Sequence, residues 1–300
     1  MERAPHDQLR GFVKLALSLV DQTPAAGRPG SPRETETSAQ VPLGEQGHAR
    51  VVLLNDLNVD AQLAAANLAF IVDGVADHLE VAAGRDNAVH VPILSIIART
   101  ALEIAGQLSW LLDDSIGAEQ RARRFLTWRF ADLRAQRLLL GDFRPSNDES
   151  SAAVTELDRT EQELHSAAGS AGWVSKPTVQ GSHLEAAALL DTEGKNERVP
   201  KNGELARLVS STPSLYGLLS IPAHGVRFGM RHGMRVADSG DEVDSRRVLV
   251  GGFGLPVNTV IGLSVLAVDR ACRLLAGWNG VDASRLHAAG EEIVRRAGIG

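Results

Sequence analysis

Residues 99–114 of the chain read R-T-A-L-E-I-A-G-Q-L-S-W-L-L-D-D and combine a strongly apolar helical pattern with charged residues. Arg99 and Glu103 are four residues apart, so a helix places them on one face. Most other positions from Ile96 to Leu112 are apolar, which predicts a helix buried on most sides. An ion pair inside a protein costs on the order of several kcal/mol per charge in desolvation and persists only where geometry or function compensates. This stretch therefore indicates a helical fold and is the first candidate site.

Helical periodicity continues on both sides of this stretch. Apolar spacing predicts helices over residues 60–83, 91–112, 118–140, 149–168, 202–211, 214–236, 256–278 and 284–297, and a short one near 183–190. Two short stretches have strand character, V-V-L-L-N at 51–55 and R-R-V-L-V-G-G-F-G at 246–254. We therefore predict an all-α fold, a helical bundle of about seven to nine helices without internal repeats.

Three segments of different composition divide the chain. Residues 1–22 predict a short amphipathic helix that docks on the rest of the protein or on a second subunit. Residues 23–48 are rich in proline, glycine, serine and charge, which predicts a flexible, disordered linker. Residues 49–300 are predicted to form a single helical-bundle domain.

Composition and charge limit the classes of function. A formal net charge of −6 argues against a wide electrostatic grip on duplex DNA, which requires clustered Lys and Arg. The single cysteine, Cys272, excludes an internal disulfide and a multi-cysteine zinc site and fits a reducing cytosol. The first residues are too polar for a secretory signal, and no run of about eighteen apolar residues predicts a membrane span. We expect a soluble, cytoplasmic protein without a membrane partner.

A second stretch, Y-G-L-L-S-I-P-A-H-G-V-R-F-G-M-R-H-G at 216–233, also sets polar residues into apolar sequence. Tyr216, Ser220, His224 and Arg227 follow spacings of four, four and three, so a continuous helix places them on one face. The proline between Ser220 and His224 predicts a kink or a new helix start. His224 is the candidate general base, because the ordinary pKa of imidazole lies closest to physiological pH. Tyr216 would orient it or donate to a developing anion; the alternative is that His224 is a core residue with satisfied hydrogen bonds.

Further residues extend the candidate site. Trp110 is the last residue on the helix face that carries Arg99 and Glu103. Arg121 and Arg124 lie in the first turns of the next predicted helix. Either arginine can pair with the two aspartates at 113–114. We predict substrate-binding roles for Trp110, Ser220, Arg121 and Arg124, with a structural salt-bridge network as the alternative for the two arginines.

The residues R-F-G-M-R-H at 227–232 form an Arg-x4-His arrangement. It resembles the signature of HEPN-type helical ribonucleases. The resemblance implies metal-independent cleavage of RNA by a homodimer. In it, His232 takes the proton from a 2′-hydroxyl and Arg227 stabilises the charge that develops on phosphate. That family usually has a polar residue directly after the arginine, where this chain has Phe228.

A longer pattern runs from about Ile93 to Asp282. The runs R-x3-E-x6-W-L-L-D, R-x2-R and Y-x2-L-S-x3-H-G, with a closing G-W-N-G-V-D, are similar to a group of actinobacterial helical proteins of unassigned function. This resemblance implies no activity. It implies that residues of both stretches belong to one site, namely Arg99, Glu103, Trp110, Tyr216, Ser220 and His224.

Asp113 and Asp114 also suggest a helical isoprenoid cyclase, in which acidic motifs gather Mg²⁺ around a diphosphate. The match is partial. The acid expected after the pair is missing, and the run N-D-E-S-S at 147–151 matches only the opening of the second motif because Thr155 stands at its final acid. We therefore predict neither a metal nor a cofactor.

Three hypotheses for the function follow. The first is a HEPN-like, metal-independent protein of toxin or defence type that cleaves or binds RNA, with Arg227 and His232 catalytic. The second is a small-molecule enzyme of bacterial specialised metabolism, a lyase or an unconventional isoprenoid-type cyclase, that uses a buried pocket of the Arg, Glu, Tyr and His named above. The third is a non-catalytic helical scaffold. The homodimer is predicted from the resemblance to HEPN-type ribonucleases.

Overall fold

Helices make up most of the described chain. The structure, a computed structural model, describes residues 5–85, 91–143, 147–173, 175–180, 183–189, 198–210, 216, 219 and 257–297. The helices are α1 (Pro5–Asp21), α2 (Pro32–Gln40), α3 (Gly44–Arg85), α4 (Val91–Leu111), α5 (Ala118–Phe143), α6 (Asn147–Ser170), α7 (Asn202–Val209), α8 (Val257–Asn279) and α9 (Ser284–Arg296). A 3₁₀ turn, Val41–Leu43, lies between α2 and α3. Two strands, β1 (Ser175–Gln180) and β2 (His183–Leu189), complete the order.

The all-α prediction is confirmed, with small shifts at the helix ends. The helix predicted at 118–140 is α5, and the one predicted at 284–297 is α9. The strand-like residues 51–55 lie inside α3. The other strand-like stretch, 246–254, lies outside the described residues.

A β-hairpin is the exception to helical structure in the part of the chain that the structure describes. Its two strands pair antiparallel, with Ser175 opposite Leu189. The register shifts at Pro177, which has no N–H to donate to the ladder. The short helix predicted near 183–190 is wrong, because the helix propensity of its alanines is a weak preference that strand pairing overrides.

The chain divides into two compact units. The first takes residues 1–24, 61–110 and 201–300, and the second takes residues 25–60 and 111–200. Each unit is therefore assembled from segments that are far apart in the sequence. This division differs from the single domain predicted over 49–300.

In the first unit, the predicted N-terminal amphipathic helix is α1, which packs against α8 and α9. Its buried residues are Leu9, Phe12, Val13, Ala16 and Leu19. Gly290 permits the close approach of α9, since a Cβ there would lie 3.1 Å from the ring of Phe12. Arg10 also binds Asp77 and Glu80 of α3, at 2.8 and 2.5 Å. Burial of this apolar face holds α1 on its own unit.

The second unit begins at residue 25 and takes most of the segment 23–48, which contains an ordered helix and is not the flexible linker predicted from composition. Ser31 caps α2 by accepting a hydrogen bond from the backbone N–H of Glu34 at 3.1 Å. Arg33 is fully buried and donates to Oδ1 of Asn55 at 2.8 Å. The composition is misleading here because a helix cap and a buried guanidinium order a segment that has few apolar side chains.

One stretch of the described chain, residues 32–82, is long and apolar enough by composition to cross a membrane. The core helix of a soluble protein passes the same test, so this stretch is a weak indication and is compatible with a soluble protein. The sequence analysis predicted no stretch of this kind, and residues 32–82 are an exception by length and composition alone.

Cys272 on α8 is fully buried, and burial, with a contribution from Asp269, raises the pKa of its thiol to about 12. In the unfolded chain the thiol ionises near pH 9, so the folded state binds more protons and loses stability as the pH rises from 9 toward 12. Between pH 9 and 10 we expect the wild type to lose about 1 kcal/mol of unfolding free energy that Cys272→Ala retains. Urea unfolding at several pH values measures this, and parallel pH dependences of the two proteins would contradict it.

Candidate functional site

Arg99 and Glu103 form an ion pair one helical turn apart on α4. The Nε of Arg99 donates to Oε1 of Glu103 at 2.9 Å. The two side chains are 17% and 21% exposed. Ala98, Ala101 and Leu102 beside them are buried. The pair is therefore shielded by the apolar body of α4 and still reachable from solvent.

Tyr216 joins this pair from a distant part of the sequence. Its hydroxyl donates to the same oxygen of Glu103, Oε1, at 2.6 Å. The guanidinium carbon of Arg99 lies 5.6 Å from the centre of the Tyr216 ring, within the range of a cation–π contact. The structure thus brings together Arg99, Glu103 and Tyr216, as the two polar stretches predict, and we call these three residues the polar cluster.

The electrostatics of the polar cluster hold the proton on the phenol. Burial and the hydrogen bond to Glu103 raise the pKa of Tyr216, against the opposing effect of Arg99. Burial acts to lower the pKa of Arg99, but its bonds to Glu103 and Tyr216 outweigh this and raise it. The cluster therefore combines a phenol that keeps its proton near neutral pH, a guanidinium that stays charged, and an oxygen of Glu103 that accepts hydrogen bonds from both.

Two glycines that the sequence analysis did not single out as site residues bring α4, α7 and Tyr216 close together. A Cβ at Gly106 on α4 would lie 2.4 Å from the carbonyl oxygen of Leu205 on α7. A Cβ at Gly203, also on α7, would lie 3.8 Å from the ring of Tyr216. A signal was present in the sequence, since Gly106 lies on the same helix face as Arg99.

The structure places Trp110 near the end of α4, two turns after Glu103, with 7% of its surface exposed. Its burial does not test the predicted substrate-binding role, which stays a prediction. The remaining predicted residues of the second stretch lie outside the described residues: Ser220, His224, Arg227 and His232. Their predicted roles therefore stay predictions.

Arg121, in the second unit, is held by a dense set of partners. Its Nε and Nη2 each donate to a carboxylate oxygen of Glu36 at 3.1 Å. Its guanidinium also donates to the backbone carbonyls of Leu111 and Asp113 at 2.9 Å and of Ile116 at 3.2 Å. With 2% of its side chain exposed, Arg121 secures the turn between α4 and α5, which is a structural role.

Arg124 pairs with Asp113 at 3.3 Å, one of the two partners that the sequence suggests. Its side chain is 12% exposed. For both arginines the contacts agree with the structural alternative rather than with substrate binding.

In the part of the chain that the structure describes, no three His, Cys, Asp or Glu side chains converge to form a candidate metal site. The predicted HEPN and actinobacterial resemblances also find no independent support. No family model matches this chain, and no curated protein or solved structure matches it either.

Proposed function

We propose that the protein is a small-molecule enzyme that moves protons at the polar cluster, in the manner of a lyase, cyclase or isomerase. The proposal rests on one observation: Glu103 Oε1 receives the Tyr216 hydroxyl at 2.6 Å and the Arg99 Nε at 2.9 Å. A proton donor and a proton acceptor in direct contact, partly shielded from water, can pass a proton between them, and each belongs to a residue type that serves in general acid–base catalysis.

The chemistry balances without a cofactor. Glu103 takes a proton from one atom of the substrate, and Tyr216 gives its proton to the atom on which negative charge develops. The resulting phenolate lies beside the guanidinium of Arg99, which stabilises it. The proton on Glu103 then returns to Tyr216 along their hydrogen bond, which resets the cluster. The role of general base that the sequence predicts for His224 stays a prediction.

The described residues do not test the other two hypotheses. RNA cleavage by a HEPN-like dimer depends on Arg227 and His232, and no described contact bears on it. A purely structural role for the polar cluster is the scaffold hypothesis. We also propose a cytoplasmic location, in keeping with the single buried cysteine.

The test is hydrogen exchange into substrate. We would incubate the purified protein in D₂O with a small-molecule extract of an actinobacterial culture and seek compounds that gain deuterium or change retention by liquid chromatography and mass spectrometry. Glu103→Gln and Tyr216→Phe should each lower the initial rate by about 100-fold or more. Glu163→Gln is the matched control, because Arg159 and Glu163 form the same i,i+4 pair on α6 with the side chain of Glu163 59% exposed.

Equal conversion by Glu103→Gln and the wild type would contradict the proposal, as would no conversion beyond a heat-denatured sample. Cleavage of total RNA in EDTA that is lost in His232→Ala would favour the HEPN-like hypothesis instead.

A further inference from the structure

The side of α4 that leads up to the polar cluster is apolar and open to solvent. Ile93 and Ile96 are 52% and 42% exposed, and Ile97 beside them is half-buried. Thr100 is exposed, but its hydroxyl donates to the backbone carbonyl of Ile96 at 3.0 Å. Residues three and four apart are neighbours on a helix, so the isoleucines form one contiguous apolar patch. We call Ile93, Ile96 and Ile97 the isoleucine surface.

The isoleucine surface and the polar cluster lie along the same side of α4. Ile96 and Glu103 are seven residues apart, which is close to two helical turns, so they lie nearly in line along the helix axis. From Ile93 to Glu103 the helix rises about 15 Å. These residues and Tyr216 belong to the first unit. A ligand with its polar group at the cluster can therefore extend an aliphatic chain over the isoleucines.

The charges of the polar cluster determine which polar group fits there. The guanidinium of Arg99 is already paired with Glu103, with 2.9 Å between Nε and Oε1. A carboxylate or phosphate on the ligand would bring a second negative charge toward Glu103, and an ammonium group would bring a second positive charge toward Arg99. A carbonyl oxygen accepts a hydrogen bond from the phenol of Tyr216 without adding a charge. The cluster therefore favours a neutral carbonyl group.

We propose that the substrate of the polar cluster is a neutral aliphatic carbonyl compound whose chain lies over the isoleucine surface. This inference rests on the proposed function. Tyr216 gives its proton to the carbonyl oxygen, and Glu103 takes a proton from the neighbouring carbon. That C–H bond breaks and its electron pair forms the C=C bond of an enol, while the carbonyl π pair binds the proton from Tyr216. When the enol takes a proton back at carbon in D₂O, the product carries deuterium.

The first experiment measures the binding of methyl propyl, methyl hexyl and methyl nonyl ketone. Tyr216 is the only tyrosine, so its ¹³C-labelled ring resonance reports binding at the polar cluster. If an open helix side buries about half of each CH₂ group, affinity should rise about twofold per group and about 50-fold from the propyl to the nonyl ketone. Octanoate has as many carbon atoms as methyl hexyl ketone and should bind about tenfold more weakly, because its charge repels Glu103.

The second experiment tests the isoleucine surface. Ile96→Gln should weaken the binding of methyl nonyl ketone by about tenfold and change that of methyl propyl ketone by less than about twofold, because only the longer chain reaches residue 96. Leu139→Gln is the matched control, since Leu139 on α5 is 56% exposed and belongs to the second unit. This variant should bind both ketones as the wild type does. Circular dichroism of both variants checks that they are folded.

Failure of this inference and failure of the proposed function give different results. Ketones that leave the Tyr216 resonance unmoved, while a polar compound of the culture extract gains deuterium, would overturn the substrate class alone. Binding with the expected dependence on chain length, but with no deuterium in any compound, would support the ligand class and overturn the proton transfer.

Three further results would overturn the inference itself. The first is equal affinity for the propyl and nonyl ketones. The second is a dimer in sedimentation equilibrium that Ile96→Gln dissociates, because the isoleucine surface would then bind a second copy. The third is binding to phosphatidylcholine vesicles that Ile96→Gln abolishes, because the surface would then bind a membrane.

Discussion

Arg121→Met is expected to lower the free energy of unfolding by about 3–5 kcal/mol, the usual cost of removing one partner from a buried ion pair. Methionine keeps much of the length and apolar volume of the side chain but none of its donors. Glu36 loses its hydrogen bonds from the guanidinium, and the carbonyls of Leu111, Asp113 and Ile116 lose theirs. Urea unfolding followed by circular dichroism measures the loss.

Two other arginines provide graded controls for this experiment. Arg124→Met removes a 12%-exposed side chain that pairs with Asp113 at 3.3 Å, so it should cost about 1 kcal/mol. Arg159→Met removes a 60%-exposed side chain on α6, and a cost within about 0.5 kcal/mol is expected. If Arg121→Met costs no more than Arg159→Met, the network does not hold the turn between α4 and α5.

The helices could be predicted because their signal is local. α4 and α5 repeat apolar residues at the helical period, and that pattern fixes their faces whatever they pack against. The hairpin could not be predicted in this way, since β2 depends on pairing with β1 and its own residues favour a helix. The prediction of a flexible linker over residues 23–48 was wrong for a related reason. Arg33 becomes a core residue only in the folded chain, where Asn55 lies beside it.

The candidate site was predictable in part. The four-residue spacing of Arg99 and Glu103 indicates their ion pair directly. Tyr216 was predicted to join them only because it belongs to a second polar stretch, as no local rule connects residues 113 positions apart. The partner of Arg121 was predicted among the nearest acids, whereas the structure supplies Glu36 from α2. Which carboxylate reaches a buried guanidinium is decided by tertiary packing.

Gly106→Ala should destabilise the first unit by about 2–3 kcal/mol and alter the polar cluster without touching any of its members. The added Cβ would lie 2.4 Å from the carbonyl oxygen of Leu205, and this atom belongs to the backbone of α7, so the helix itself must shift. Because α7 also carries Gly203 against the ring of Tyr216, that shift changes the surroundings of the phenol.

The chain offers a clean reporter for this shift, since Tyr216 is its only tyrosine. With ¹³C-labelled tyrosine, the wild type should show one ring resonance that titrates above pH 10, because burial and Glu103 raise the pKa of the phenol. In Gly106→Ala the resonance should move and its titration should fall toward pH 10. Gly277→Ala is the control: it lies on α8, its new Cβ meets no atom within 4 Å, and a helical alanine should leave stability unchanged or raise it by up to about 1 kcal/mol. An unchanged tyrosine resonance in Gly106→Ala would mean that α7 does not position the phenol, and the proposed proton transfer would lose the packing that holds its donor in place.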